Sequence, residues 1–190
     1  MTAREQPDGL LPELFVIVAS VEDADVLAAL GGRDPEVLSV LVATGRDPMA
    51  VDEALDDLGA LAGRVLIVDD TGEGPAAEAA ALLPRLDALV AADRPGAVLV
   101  RGGSPTALAA AQVAVWRSVP VVAVPVDGGS AVDATNQAAI AALVANQYAP
   151  DVELQDVRSA AAAQRLVRER LAATDAPRVV RLPTDRTISA

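Results

Sequence analysis

The segment of residues 96–136 most constrains what this chain can fold into, because it holds a strand, a turn, a helix and a second strand in succession. Ala97–Val100 is an apolar run too short for a helix, and Val121–Val126 is another. Between them lies an Ala-rich helix over Ala107–Ser118. The pair Ser104-Pro105 marks its start, with an N-cap serine and a proline suited to the first helical position. The segment therefore predicts a βαβ unit.

The same alternation of apolar runs and helical segments continues along the chain, at a spacing of roughly 25–30 residues. The other predicted strands are Leu14–Ala19, Val37–Ala43, Arg64–Val68 and Arg178–Leu182, with a short candidate at Gln147–Ala149. The other predicted helices are Val21–Leu30, Asp47–Leu58, Pro75–Ala92, Val132–Val144 and Ser159–Ala173. This pattern predicts an α/β fold with a doubly wound, Rossmann-like parallel sheet of about six to seven strands and helices on both faces. Pro84 lies inside a predicted helix and indicates a kink or a break there.

The length and apolar content predict one domain with a substantial core. The chain has 190 residues, of which 52% are hydrophobic, and a domain of this size buries most of its apolar surface. Residues 1–12 are polar and contain proline, so we expect a flexible N-terminal arm. Residues 13–190 show no convincing boundary and predict a single Rossmann-like domain.

The composition excludes several classes of function. The net charge is −12 and lysine is absent, which argues against nucleic acid and anionic membranes as partners. Cysteine and histidine are absent, so zinc–cysteine sites and imidazole catalysis are excluded, and we expect no metal site.

The first strand–helix turn, Ala19–Asp23, lacks the glycines that bind a dinucleotide, and we expect no cofactor. No apolar run has the length of a signal or a membrane span, so the expected location is the cytoplasm.

Two turns are predicted to face a binding site, because ligands of such sheets bind beyond the carboxyl ends of the strands. They are Arg101–Thr106 and Asp127–Thr135. Arg101 has the right place to bind a phosphate or a carboxylate. The alternative is that it forms an ion pair with Asp127 or Asp69 across neighbouring strand ends.

The other polar groups of these turns also allow two interpretations. Gly102, Gly103 and Ser104 present backbone N–H groups to an anion, or they provide only turn and capping geometry. Asp127 and Asp133 form a carboxylate pair for proton transfer, or they cap and solvate a loop.

Four stretches resemble the non-hydrolysing UDP-N-acetylglucosamine 2-epimerases. The run VLVRGGSPTALAAAQVAVWRSVPVVAV is similar to the family pattern VLVHGDTTTTLAAALAAFYxxIPVxHV. Thr44-Gly45, with the spaced residues up to Gly59, is similar to TGQHRExLDQVLxxFG. Asn136 and Tyr148–Pro150 match parts of NRxLTxxLADLHFAP, and the ending VVRLPTDRTISA resembles the end of the family's first domain.

The resemblance implies a GT-B-like enzyme cut to its N-terminal domain. In the complete enzymes, UDP lies mainly against the second domain and the sugar lies in the cleft between the domains. The reaction there is an anti elimination of UDP to give 2-acetamidoglucal, followed by re-addition with inversion at C2. A UDP-sugar is therefore the implied ligand.

The resemblance also implies that the catalytic motifs are degenerate. The family's first turn, GTRPExxK, supplies an arginine and a lysine, and Ala19–Asp23 has neither. Gly103 stands where the aspartate of the family's HGD turn would be, and Asp133-Ala134 stands where a pair of glutamates would be. Only Asp133 and Asn136 keep plausible chemistry.

Our first hypothesis is therefore a catalytically degenerate, epimerase-like nucleotide-sugar domain that is inactive alone and acts as a binding or partner domain. If it is active, it is an isomerase of this type with Asp133 as the catalytic residue. The predicted ligand-binding residues are Ser20, Arg101, Gly102, Gly103, Ser104, Asp127 and Asn136.

Two alternatives stay open. The chain is the N-terminal half of a split epimerase that a separate C-terminal domain completes, or it is an unrelated small-molecule-binding α/β protein. A sheet order unlike 3-2-1-4-5 favours the unrelated binder. In the first two cases an apolar face is left without its second domain, so we expect a homo-oligomer or a complex with an epimerase-like chain.

Overall fold

The computed structural model describes residues 11–32, 36–68 and 73–147, which form a parallel sheet covered by helices. Within these ranges the sheet has five strands in the order β3-β2-β1-β4-β5, and every neighbouring pair is parallel. The strands are β1 Glu13–Val18, β2 Leu38–Ala43, β3 Ala62–Val65, β4 Ala97–Arg101 and β5 Val121–Val124. The predicted Rossmann-like α/β class is confirmed, and the order is the one that the epimerase hypothesis requires.

A helix follows each strand, as the alternation of apolar runs predicts. The helices are α1 Val21–Leu27, α2 Pro48–Asp57, α3 Pro75–Asp93, α4 Pro105–Trp116 and α5 Ala131–Gln147. A 3₁₀ turn over Ala28–Gly31 continues α1 to the point where helix was predicted to end. Ser104 caps α4, with its Oγ accepting a hydrogen bond from Ala107 N at 3.0 Å. No helix in the described part of the chain is long and apolar enough to cross a membrane.

β1 lies at the centre of the sheet and supplies the core of both layers. Leu14, Val16 and Val18 pack into the layer formed with α1 and α2. Phe15 and Ile17 pack into the opposite layer, formed with α3, α4 and α5. Successive side chains of a strand point to opposite faces, so an uninterrupted apolar run is what a strand buried on both faces needs. Each of these side chains contributes about 1.5–3 kcal/mol by leaving water.

The third strand is displaced from its predicted position. It was expected at Arg64–Val68 and is found at Ala62–Val65. Its last ladder partner is Ala43, the final residue of β2, and a single hydrogen bond from Leu66 N to Ala43 O follows. The apolar residues beyond this point have no neighbouring strand to pair with. A sequence pattern does not show where a partner strand ends.

The helix α3 runs through Pro84 without the predicted break. Proline removes the hydrogen bond to the carbonyl of the residue four positions earlier, here Ala80. Both residues lie on the exposed side of the helix, while Leu82 and Leu86 are buried on the other side. Water can therefore solvate the free carbonyl, and the packed face of the helix continues.

The predicted C-terminal elements lie mostly outside the described residues. The candidate strand Gln147–Ala149 is wrong at its first position, because Gln147 is the last residue of α5. The remainder of that candidate, the helix predicted at Ser159–Ala173 and the strand predicted at Arg178–Leu182 fall outside the described ranges, as does most of the predicted N-terminal arm.

Candidate functional site

A cleft of about 660 Å³ opens at the carboxyl ends of β1, β4 and β5. β1 and β4 are neighbours in the sheet but not in sequence, so this is the switch point of the strand order, where doubly wound folds bind ligands. Its lining residues are Ser20, Glu22, Asp23, Arg101, Gly102, Gly103, Ser104, Val126, Asp127, Gly128, Gly129, Asp133, Ala134 and Gln137. All the predicted site residues except Asn136 are in this set. Their roles in binding or catalysis stay predictions.

Three of the helices begin beside the cleft, and a serine stands at the start of each. Ser20 Oγ accepts a hydrogen bond from Asp23 N at 3.2 Å, and Ser104 caps α4. At α5, Asp133 N donates to Ser130 Oγ at 3.2 Å while Asp133 Oδ2 accepts from Ser130 N at 2.9 Å. This reciprocal pattern is that of a capping box.

Arg101 forms an ion pair with Asp23, an acid that the sequence did not suggest as its partner. Its Nη1 lies 2.6 Å from Asp23 Oδ1. Of the two partners that the sequence suggested, Asp127 lines the same cleft without an ion pair to Arg101, and Asp69 lies outside the described residues. Asp23 sits in the first turn of α1, directly beyond β1, and β1 is the neighbour of β4 in the sheet. Asp23 Oδ2 also accepts a long hydrogen bond from Ala19 N at 3.3 Å. The pair therefore joins the two strand ends that border the switch point.

Three carboxyl groups of the cleft have shifted pKa values, and that of Asp23 is the one that is raised. Burial raises the pKa of Asp23, and the hydrogen bond and charge of Arg101 oppose this effect without cancelling it. Hydrogen bonds from Ser130 lower the pKa of Asp133. A backbone hydrogen bond at Glu22 and the hydroxyl of Ser20 lower the pKa of Glu22. Of these three groups, only Asp23 has surroundings that favour its protonated form.

The turn after β4 is pressed against α5. A Cβ atom added to Gly103 would overlap the backbone carbonyl oxygen of Asp133 and come within 2.8 Å of Gln137 N. Asn136 Nδ2 donates to Gly103 O at 2.9 Å, so Asn136 holds the back of this turn and does not line the cleft. The position that carries an acid in the resembling family has no space for a side chain here.

Sequence reasoning missed four residues of the cleft wall, which are Glu22, Asp23, Val126 and Gln137. The side-chain amide of Gln137 bonds to both backbone groups of Val126, accepting from N at 2.9 Å and donating to O at 3.3 Å. The spacing Ser20-x-x-Asp23 is a capping-box signal and would have drawn attention to Asp23. No comparable signal points to Gln137, whose role depends on how α5 packs against the strand end.

Acidic groups dominate the charge of the cleft. Glu22, Asp23, Asp127 and Asp133 line it, and Arg101 is its only cation within the described ranges. Among those residues, no three acidic side chains are arranged so that they could hold a metal ion. A negatively charged ligand therefore has one cationic partner in this cleft, and that partner is already paired.

A second polar cluster lies at the same edge of the sheet. Glu78, in the first turn of α3, is buried and accepts a hydrogen bond from the Thr106 hydroxyl at 2.8 Å and another from Arg46 Nε at 3.0 Å. Thr106 is fully buried in the first turn of α4. The cluster fixes the start of α4, whose capping serine lines the cleft.

No known family model matches the chain, and no curated protein matches it. Solved structures do match. A crystal structure of a UDP-N-acetylglucosamine 2-epimerase superposes with a TM-score of 0.64 at 20% identity, over 70% of this chain and 40% of that one. The enzyme from Neisseria meningitidis, bound to UDP-GlcNAc, gives 0.62 at 16% identity, over 69% of this chain and 38% of that one. The enzyme from Methanocaldococcus jannaschii gives 0.57 at 16% identity, over 86% and 50%.

The chain shares its fold with UDP-N-acetylglucosamine 2-epimerases. The predicted resemblance to one part of these enzymes is confirmed at the level of the fold. The chain spans between 38% and 50% of the length of the three structures. At identities of 20% or less, the similarity establishes architecture and leaves ligand and activity open.

Proposed function

We propose that this chain is an epimerase-type nucleotide-sugar domain of the cytoplasm, which binds a UDP-sugar at the switch-point cleft and is inactive as an epimerase alone. The observation that carries the proposal is the cleft itself. It lies where a fold of this kind binds ligands, in an architecture shared with an enzyme whose structure holds UDP-GlcNAc.

The geometry at Gly103 and Arg101 supports the lack of activity. Abstraction of a proton at C2 needs a positioned base, and departure of UDP needs a cation. Gly103 has no room for an acid, and Arg101 is paired with Asp23. Asp133 is the remaining candidate base, but its carboxylate caps α5, and hydrogen bonds to Ser130 lower its pKa. A weakly basic carboxylate is a poor base for a carbon acid.

Titration calorimetry with UDP-N-acetylglucosamine, combined with a coupled epimerase assay, tests both parts of the proposal. We expect saturable binding and no turnover. Turnover by the purified chain would contradict the loss of activity, and no binding of the nucleotide sugar or of UDP would contradict the binding role.

Amide NMR spectra locate the bound ligand. The glycines of the cleft, Gly102, Gly103, Gly128 and Gly129, should shift when UDP-N-acetylglucosamine is added. Gly59 and Gly63 serve as internal controls, because they lie at the end of α2 and in β3, away from the cleft. Shifts at the two controls and none at the cleft would place the ligand elsewhere.

A second candidate function, the half of a split epimerase, is favoured by exposed apolar side chains at the edge of the sheet where the cleft opens. Four of them lie at helix starts or beyond a strand end on this edge and are between 44% and 55% exposed: Val21, Met49, Ile67 and Val132. Such side chains are suited to a covering domain. They support a role for a second domain or a second copy of the chain in covering this edge.

Mixing distinguishes this candidate from the first. The chain is combined with a separately produced C-terminal domain of an epimerase, and the coupled assay is repeated. Activity that appears only in the mixture would support the split enzyme. Light scattering of the chain alone tests self-association, for which we expect a mass above that of one chain at micromolar concentration.

A further inference from the structure

The Arg101–Asp23 ion pair is both part of the cleft wall and mostly removed from water. The two side chains are 19% and 9% exposed, and their charged atoms are 2.6 Å apart. Both residues line the cleft, so a ligand that enters it can reach the pair. The guanidinium has five N–H donors in a planar fork, and the contact that the structure gives within the described residues is the one from Nη1 to Asp23.

An anionic ligand is opposed by the charges around this pair. A phosphate that approaches Arg101 also approaches the carboxylate of Asp23, and Glu22, Asp127 and Asp133 line the same cleft. Inside a partly desolvated cleft such repulsion is much stronger than in water. The complex becomes favourable when one of the carboxylates loses its charge.

Asp23 is the group best suited to take up that proton. Burial already raises its pKa, and an anion at Arg101 removes the charge partner that opposes this effect. Glu22, from the same helix, is the other charged group that acts on Asp23, and its own pKa is lowered. On the α5 side, the pKa of Asp133 is lowered as well. The surroundings of these two carboxylates thus favour their charged forms, whereas those of Asp23 favour its protonated form.

We propose that an anionic group, such as a phosphate, binds in this cleft by displacing Asp23 from Arg101, and that Asp23 takes up one proton from solvent as the ion pair opens. The proton forms an O–H bond on the Asp23 carboxyl, which then has no net charge. Arg101 keeps its charge and pairs with the ligand. The inference rests on the proposed function only in assuming a phosphate-bearing ligand.

The linkage between protons and ligand gives the direction of the pH effect. Because the complex binds more protons than the free protein, the affinity for an anion rises as pH falls toward the pKa of Asp23 in the free protein. Full coupling to one proton changes the affinity up to tenfold per pH unit. Neutral ligands do not require the ion pair to open, so their affinity stays constant.

Calorimetry with inorganic sulfate, UDP and N-acetylglucosamine tests the proposal on the whole chain. Sulfate is the decisive probe because its charge stays constant between about pH 5.5 and pH 7.5. The secondary phosphate of UDP titrates in this range, so the charge of UDP itself changes with pH. Ionic strength is held constant with NaCl. We expect sulfate to bind at least tenfold more tightly at the lower pH. Titrations in two buffers of different ionisation enthalpy should show uptake of up to one proton per sulfate.

The variant Asp23→Asn should bind sulfate tightly at both pH values, with no proton uptake. Asp127→Asn and Asp133→Asn are the matched controls, because each removes one charge from the same cleft. They should raise the affinity at both pH values and keep the pH dependence. Arg101→Gln should abolish sulfate binding. Proton uptake by the unaltered chain decides the matter if Asp23→Asn fails to fold.

The outcomes separate this proposal from the proposed function. Sulfate binding without proton uptake, or with an unchanged pH dependence in Asp23→Asn, overturns the coupling and leaves the nucleotide-sugar role intact. The coupling is also overturned if the affinity for N-acetylglucosamine, which is neutral, depends on pH as the affinity for sulfate does. Proton-coupled sulfate binding without affinity for UDP or its sugar supports the coupling and refutes the nucleotide-sugar role. No sulfate binding at the lower pH refutes the coupling.

Discussion

Gly103 has no room for a side chain, and this local fact separates the chain from the HGD pattern of the family that its sequence resembles. Its backbone φ is outside the left-handed region, so the restriction is steric and comes from the α5 backbone at Asp133. We expect Gly103→Ala to lower the free energy of unfolding by about 1–3 kcal/mol, the usual cost of overpacking. Urea unfolding followed by circular dichroism measures it.

Gly32→Ala is the control for this prediction. A Cβ at Gly32 would meet only ordinary contact, 3.5 Å from Ala29 O, and its φ of −68° suits any residue. Its effect should stay within about 0.5 kcal/mol. Gly103→Asp should be destabilised like Gly103→Ala and should show no epimerase turnover. Equal stability of the two alanine variants would show that α5 moves away at no cost.

A threonine-to-valine substitution should have opposite effects on stability at two fully buried positions. The Thr106 hydroxyl donates to the Glu78 carboxylate, while Thr44 Oγ1 has no hydrogen-bond partner among the described residues. Thr106→Val should lower the free energy of unfolding by about 1.5–3 kcal/mol, because a charged acceptor loses its donor. Thr44→Val should raise it by about 1 kcal/mol, because a buried polar group without a partner is removed. A loss of stability in Thr44→Val would reveal a partner for its hydroxyl.

At the level of single residues, the sequence identifies side chains that bond to near neighbours along the chain. It misses pairs of residues that are brought together only by the fold. Ser104 was predicted as a cap from its neighbours alone, and the structure confirms it. The ion pair of Arg101 with Asp23 joins residues that are 78 positions apart in sequence. It depends on the pairing of β1 with β4 in the sheet. The sequence placed Arg101 correctly at a strand end, but it suggested Asp127 or Asp69 as the partner and not Asp23.

Among the secondary-structure elements, α3 shows how a packed face overrides a local signal. Pro84 costs helix stability, but it lies on the exposed face. We expect Pro84→Ala to raise the free energy of unfolding by about 1–3 kcal/mol, since it restores a hydrogen bond to Ala80 O and improves helix propensity. Thermal unfolding followed at 222 nm checks the direction.

A proline introduced one turn after Pro84 is the control for this prediction. Ala88 is also exposed in this helix, so Ala88→Pro tests the cost of proline in the same environment. It should lower stability by about 3 kcal/mol or more. If Pro84→Ala is instead destabilising, the bend that proline favours is needed for the contact of α3 with α4.

The type and order of the elements were predictable because most of the apolar runs are strands buried between two helical layers. β1 illustrates this, since its uninterrupted apolar residues are consistent only with a central strand. The position of β3 was not predictable to the residue. Its limits are set by the end of β2 at Ala43, which is a property of the pairing and not of the β3 sequence.

For the whole molecule, the excess of acidic residues sets the response to salt. The chain has 27 acidic and 15 basic residues, which gives a net charge of −12. The excess negative charges repel one another more strongly in the folded state, because they are closer together there. Added salt screens this repulsion. It also weakens exposed ion pairs such as Arg64–Asp93 and Arg117–Asp87, but each of these is worth only about 0.2–1 kcal/mol.

The repulsion should therefore dominate, and NaCl should stabilise the fold at neutral pH. Raising NaCl from about 20 mM to about 500 mM near pH 7.5 should increase the free energy of unfolding by on the order of 1 kcal/mol, because the Debye length falls below the spacing of surface charges. Urea is the denaturant for this measurement, since guanidinium is itself a salt. Near pH 4.5 many carboxylates are protonated and the effect should vanish. A midpoint that falls with salt at pH 7.5 would show that specific ion pairs outweigh the net charge.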